Sequence, residues 1–162
     1  YDPKLLDAPR RRELFDRDEK IVVQEIRNIS LPRRIVATLD TTRTFCLQST
    51  NVIGARPSVV VDLHFLLGVI NSKAINTYFR LKFPANNHIA SNQLAALPIP
   101  AATEKEKLRV RSLVKALLTT MDALSQAESP NQQETLKARA EALDVQIERA
   151  VCTQFGVPED FA

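Results

Sequence analysis

Apolar and polar positions along the chain set out short strands, then short helices, then two long helices. Residues 20–27 (KIVVQEIR), 34–40 (RIVATLD) and 44–54 (TFCLQSTNVIG) bring β-branched side chains in runs of strand length. The connectors NISLPR and TTR are short and polar, so this spacing predicts a small antiparallel sheet. SVVV (58–61) reads either as a further strand or as the lead into a helix. Asp62 can cap a helix through Ile70, and Ser72 a second from Lys73 to about Phe83. The polar triplet Asn71-Ser72-Lys73 is then a helix–helix joint. PANNHIASNQLAALPIP predicts a polar loop, a short helical turn and a proline stop.

Beyond residue 100 the apolar period becomes that of long helices. TEKE (103–106) fits the Thr-x-x-Glu capping box, and SPNQ (129–132) fits Ser-x-x-Gln with Pro130 at the first helical position. Val110, Leu113, Leu117, Met121 and Leu124 share one helical face, and Leu136, Ala140, Leu143, Ile147 and Val151 another. Two such helices joined by a short loop predict an antiparallel αα-hairpin, ended by Gly156 and Pro158. The expected fold class is therefore α+β: a small, mostly antiparallel sheet with two short helices, followed by a long antiparallel αα-hairpin. Residues 1–19, charged and punctuated by Pro3 and Pro9, read as an arm or interdomain connector with a short helix from Pro9. Residues 20–100 read as the α+β core and 101–162 as the hairpin, a spacer or docking arm, with its C-terminal tail.

Composition adds limits. An apolar content of 44% and a charged content of 25% describe an ordinary globular protein. No apolar run approaches the roughly 18–20 residues of a membrane span, and no secretory signal opens the sequence, so a membrane partner is not expected. Cys46 and Cys152 show no metal-ligand spacing with each other or with His64 and His88. Both are expected as buried, reduced thiols of an intracellular, cytoplasmic protein. The sequence begins at Tyr1 and its one methionine is Met121, which suggests a piece of a larger polypeptide. The net charge of +3 is unevenly spread: residues 1–100 hold 14 basic and 9 acidic residues, residues 101–162 hold 8 and 10. A polyanion would meet the first part.

Most catalytic chemistry is missing. Gly54, Gly68 and Gly156 are the only glycines and none is near another, which excludes phosphate-cradling, dinucleotide and methyl-donor loops. There is no Asn-Pro-Pro-aromatic tetrapeptide, nucleophile elbow or His-Glu-x-x-His. Asp18-Glu19-Lys20 matches the Asp/Glu-x-Lys end of a metal-dependent nuclease motif, but the tripeptide is common by chance and reads first as solvated charges at a strand entrance. The chain by itself is expected not to be an enzyme, with no catalytic, cofactor-binding or metal-ligating residues.

The candidate binding residues are cationic or amide-bearing. Arg33, Arg34 and Arg43 flank a hairpin and can reach phosphates or guanine edges, with Thr44 beside Arg43. Lys73, Arg80 and Lys82 follow the helix joint. Asn86, Asn87, His88 and Gln93 lie in a loop of amide donors and acceptors suited to adenine or thymine edges. Each also has a plain structural reading, as strand ends, helix ends or a soluble loop. Tyr78 and Phe79 read as core, and Lys105, Lys107, Arg109, Arg111 and Lys115 as a solvated helix face.

EKIVVQEIRN (19–28), RIVATLD (34–40), LLGVINSKAINTYFR (66–80) and HIASNQLAALPIP (88–100) occur in a recognisable order, followed by LDVQIERAVCTQFGVPEDF (143–161). In that order the chain resembles the C-terminal target-recognition, or specificity, domain of TaqI-like adenine DNA methyltransferases and type IIG restriction–modification enzymes. Leu-Gly-x-x-Asn-Ser-Lys with a later Leu-Pro-Ile-Pro is the most specific part. The tail departs from the family by placing Cys152 and Phe155 where an aromatic pair is usual. The resemblance implies sequence-specific recognition of double-stranded DNA by residues 20–100. It also implies an upstream methyltransferase domain in the same polypeptide. S-adenosylmethionine would be bound in that parent, as would magnesium if a nuclease is present. The alternative is a protein-interaction or dimerisation module working through the helical hairpin.

Overall fold

The strand β1 (Lys20–Gln24) lies between β2 (Ala37–Asp40) and β3 (Thr50–Ile53) in a three-stranded antiparallel sheet of order β2-β1-β3. Lys20 faces Asp40, while Val22 faces Thr38 on one side and Val52 on the other. Strand alternation puts Ile21 and Val23, both fully buried, on the core face and Val22 and Gln24 on the other. The helices are α1 (Leu63–Asn71), α2 (Lys73–Lys82), α3 (Ser91–Ala95), α4 (Glu104–Gln126) and α5 (Pro130–Gln154). This computed structural model describes residues 12–46, 49–56, 58–84 and 87–158. The arm before residue 12 and its helix from Pro9 lie outside the described residues, which open on a 3-10 turn at Arg12–Leu14.

The strands are shorter than their apolar runs, and side chains from elsewhere explain why. Asn76 Oδ1 accepts the Ile35 N–H at 2.7 Å, so β2 starts at Ala37. Past Gln24 the chain leaves the ladder to pair with residues 87–89, through Arg27 N to Asn87 O at 2.9 Å and Ile89 N to Glu25 O at 2.8 Å. Residues 58–61 form no strand; they lead into α1 with Val60 fully exposed.

The helix joint forms as its residue types predict. Asp62 caps α1 by accepting from Phe65 N at 3.1 Å. Ser72 closes α1 and caps α2: its hydroxyl donates to Val69 O at 2.7 Å and accepts from Ile75 N at 3.3 Å. Asn71 does something periodicity does not reveal. Its amide donates to Ala37 O and accepts from Ala37 N, both at 2.9 Å. A side chain thus acts as a neighbour to the free edge of β2, which leaves fewer open backbone groups there.

The hairpin begins on a complete capping box, Thr103 with Glu106. The second box is absent. Ser129 is the N-cap residue of α5 without a side-chain bond, and Gln133 Nε2 closes the turn on Ala127 O at 2.8 Å instead. Gly156, at φ 66°, ends α5 in the left-handed region, with Val157 N to Cys152 O at 3.0 Å and Gly156 N to Thr153 O at 3.1 Å. Val110 and Val114 of α4 and Ile147 and Val151 of α5 join Ile21, Val69 and Ile70 in one apolar cluster. Helices α4 and α5 therefore share a core with β1, α1 and α2. A Cβ on Gly68 would stand 2.8 Å from Val110 Cγ1, so glycine is what lets α1 and α4 meet this closely. Arg111 on α4 donates to Asp62 at 2.7 Å and ties that helix to the cap of α1. Leu113 and Leu117 sit at the rim of the cluster, and Met121 is 47% exposed. Cys152 is buried as expected, but Cys46 is only half-buried.

Ile147→Ala should cost about 2–5 kcal/mol, while Met121→Ala should cost under about 0.5 kcal/mol. Urea unfolding of both variants checks this; equal losses would mean that α5 does not pack as described.

Candidate nucleic-acid interface

The sequence candidates fall into groups at opposite ends of β1. At its start, Lys20 is fully buried and pairs with Asp40, and its Nζ also donates to Phe15 O at 3.2 Å. Asp40 Oδ1 accepts from Thr42 N at 3.1 Å, Thr42 Oγ1 at 2.6 Å and Thr44 Oγ1 at 3.0 Å, and Oδ2 accepts from Thr44 N at 3.0 Å. Burial pushes the Asp40 carboxyl up, but the bonds from Lys20, Thr42 and Thr44 outweigh it and hold the group well below the usual carboxylate range.

That carboxylate clamps the residues on both sides of Arg43, which sits at φ 56°, a conformation uncommon for a residue with a Cβ. Arg43 is exposed and meets Asp18, with Nε 3.2 Å from Asp18 Oδ1; the hydrogen bond and charge of Asp18 raise its pKa. Thr44, by contrast, uses both its N–H and its hydroxyl on the clamp. Phe45, half-exposed, packs on Phe15 with centroids 5.0 Å apart. The tripeptide Asp18-Glu19-Lys20 thus has its two outer members in separate ion pairs. Among the described residues no group of three His, Cys, Asp or Glu could hold a metal ion.

At the far end of β1 the arginine pair turns inward. Arg34 is 2% exposed, its guanidinium donates to Arg27 O, and burial and then the Arg27 charge lower its pKa. Arg33 Nη2 donates to Asp144 Oδ2 at 2.5 Å and Glu148 Oε1 at 3.0 Å. Phosphate contact through Arg34 is not open in this conformation, and Arg33 would first have to leave two carboxylates. Glu148 is 3% exposed, and its Oε2 accepts from Lys73 N at 2.7 Å. Burial raises its pKa against the opposing pull of the Lys73 N–H and the Arg33 charge. Lys73 contributes this backbone bond while its side chain is exposed.

In the amide loop two side-chain oxygens are engaged by backbone groups. Asn87 Oδ1 accepts from Ile29 N at 3.1 Å, and Gln93 Oε1 accepts from Ala90 N at 2.9 Å to open α3. His88 is bridged to Ile26 through the backbone, with its ring exposed and 3.8 Å from Glu25. Asn86 lies outside the described residues. Arg80 and Lys82 close α2, about 15 Å from the Glu148 end for ten residues. Both are exposed, and Lys82 Nζ meets Tyr78 OH at 2.8 Å. Phe79 is core and Tyr78 half-buried. Between the two ends, the outer sheet face forms a 340 Å³ trough lined by Val22, Gln24, Ile26, Val36, Thr38 and Thr50 among others.

Residue pattern alone missed Asp40, Asp18, Asn76 and Glu148 as positioning groups. Asp40 carried a readable signal, since Asp followed by threonines two and four residues on suits an Asx turn. Glu148 carried none.

Residues 1–99 match the family model of the TaqI-like C-terminal specificity domain, and the chain belongs to that family. Its fold is similar to part of a solved structure of the Type IIL restriction–modification enzyme MmeI in complex with DNA, at 16% identity and a TM-score of 0.59. The match covers 86% of this chain and 19% of that one, so the chain spans about a fifth of the length of MmeI. No curated protein matches the chain. Among the described residues no helix is long and apolar enough to cross a membrane.

Asp40→Asn should destabilise by about 3–5 kcal/mol, because it leaves the Lys20 charge buried without its partner. The pH dependence follows from the depressed Asp40 pKa: its contribution is present above the unfolded value of about 3.9 and is lost as pH falls towards the folded one. Denaturation between neutral and acid pH should show the wild type losing more stability than the variant; parallel curves would show that the clamp is not electrostatic.

Proposed function

We propose that this chain recognises a specific sequence of double-stranded DNA as the specificity module of a restriction–modification enzyme. It would present a target adenine to a methyltransferase domain of the same polypeptide. Its family and its likeness in fold to a DNA-bound restriction–modification enzyme support this reading. S-adenosylmethionine would bind to that methyltransferase domain, and the compartment would be the cytoplasm.

The observation that carries the reading is Arg43: an exposed guanidinium on a left-handed backbone position, with Asp40 fixing the residues on either side. Strained, over-determined positions of this kind gather at functional sites. An exposed ion pair such as Arg43–Asp18 contributes little to stability and can be exchanged for a DNA group. Arginine reads guanine through two bonds to O6 and N7 in the major groove. Arg80 and Lys82, exposed at the end of α2, suit phosphate, and Lys73 and His88 extend the set. In the folded chain Arg33, Arg34, Asn87 and Gln93 act as supports of this surface, with Thr44 in the Arg43 clamp.

Arg80→Ala and Lys82→Ala should weaken duplex binding almost equally on cognate and unrelated DNA, each making the log–log salt slope shallower by about 0.9. Arg43→Ala should instead cost about 1–3 kcal/mol on cognate DNA and relax one base pair. Salt titrations with both duplexes measure this. Equal losses on both for Arg43→Ala would reduce it to a phosphate contact, and no loss would remove it from the interface.

A further inference from the structure

A groove of 460 Å³ runs between the sheet edge, α1 and the two legs of the hairpin, away from Arg43. Its floor is apolar, with Leu67, Gly68, Leu117 and Leu118 among its lining residues, and the half-exposed Met121 stands in it. Four carboxylates line it: Asp122, Glu141, Asp144 and Glu148. Arg33 is the one cation among the described lining residues, and it is engaged with Asp144 and Glu148. Asp122 and Glu141 are exposed and have no cationic partner among the described residues.

This charge is unfavourable for DNA phosphate in the groove. A second copy docking face to face through the same groove would set these carboxylates against their own copies, which is unfavourable. An apolar floor beneath an acidic rim instead fits the two faces of one ligand class, an amphipathic helix with apolar anchors and a cationic flank. We propose that the groove docks a basic amphipathic helical segment of a protein partner. The inference is independent of the DNA reading, because no residue assigned there to DNA contact lines the groove; Arg33 does so as a support.

The test titrates the whole chain with a synthetic amphipathic leucine–lysine helical peptide and with its leucine–glutamate counterpart, by calorimetry. The expected result is binding of the lysine peptide alone, weakened at least about tenfold by Met121→Lys and also by Asp122→Asn with Glu141→Gln. Glu128→Gln with Glu134→Gln, on the hairpin but outside the groove, should change nothing. Thermal unfolding confirms that each variant folds, and DNA affinity should be the same in all of them. Failure to bind the lysine peptide, equal binding of both peptides, or equal loss in the control pair would overturn the proposal. So would sedimentation showing a dimer broken by Met121→Lys, which would make the occupant a second copy.

Discussion

Glu148 is the group on which the relation between the two parts of this chain depends. One oxygen accepts from Arg33 in the loop before β2, and the other from the first N–H of α2. A carboxylate on α5 thereby fixes a loop 115 residues earlier and a helix start 75 residues earlier. Burial of such a charge is unfavourable, and it is tolerated because each oxygen has a donor, one of them a guanidinium that also meets Asp144. The bond to Lys73 N also satisfies a backbone group that a helix start leaves open. The apolar cluster supplies the adhesion between hairpin and core, but apolar packing alone tolerates sliding. Directional bonds of Glu148, with Arg111 on Asp62 at the other leg, set the register.

The same logic recurs in the asparagines. Asn71 at the end of α1 and Asn76 in the first turn of α2 reach back to Ala37 and Ile35, so the edge strand and its approach are held by helix side chains as well as by β1. With that edge fixed, Asp40 at the end of β2 can clamp the turn carrying Arg43. The surface proposed to meet DNA is therefore at the end of a chain of supports that runs from α5 through α2 and β2. The carboxylate that holds the Arg43 turn belongs to the sheet.

Much of this was legible in the residues, and the boundary is physical. Asp62, Ser72 and Thr103 announce their helices because capping is local, decided within three residues. The hairpin is legible because its apolar period is sustained from Val110 to Leu124 and from Leu136 to Val151, within helices of 23 and 25 residues. Ser129 shows the limit even for a local motif: the position is right, but Gln133 satisfies the turn and the expected box does not form. Arg33 and Arg34 look like any exposed basic pair on a hairpin. Their inward turn depends on Glu148, Asp144 and the Arg27 carbonyl, partners that no spacing rule connects to them. The amide oxygens of Asn87 and Gln93 likewise accept from the Ile29 and Ala90 backbone, a use that no spacing rule announces.

The central claim is a division of surfaces: DNA on the Arg43 turn and the end of α2, and not on the acidic groove beside the hairpin. Backbone amide shifts of the isotope-labelled chain, followed while a duplex is titrated in, test this most directly. The account predicts shifts concentrated at residues 42–44, 80–82 and 88, growing weaker as salt is raised, with residues 117–122 and 140–144 unmoved. Shifts centred on the groove, or none at salt concentrations low enough for phosphate contacts to form, would contradict it.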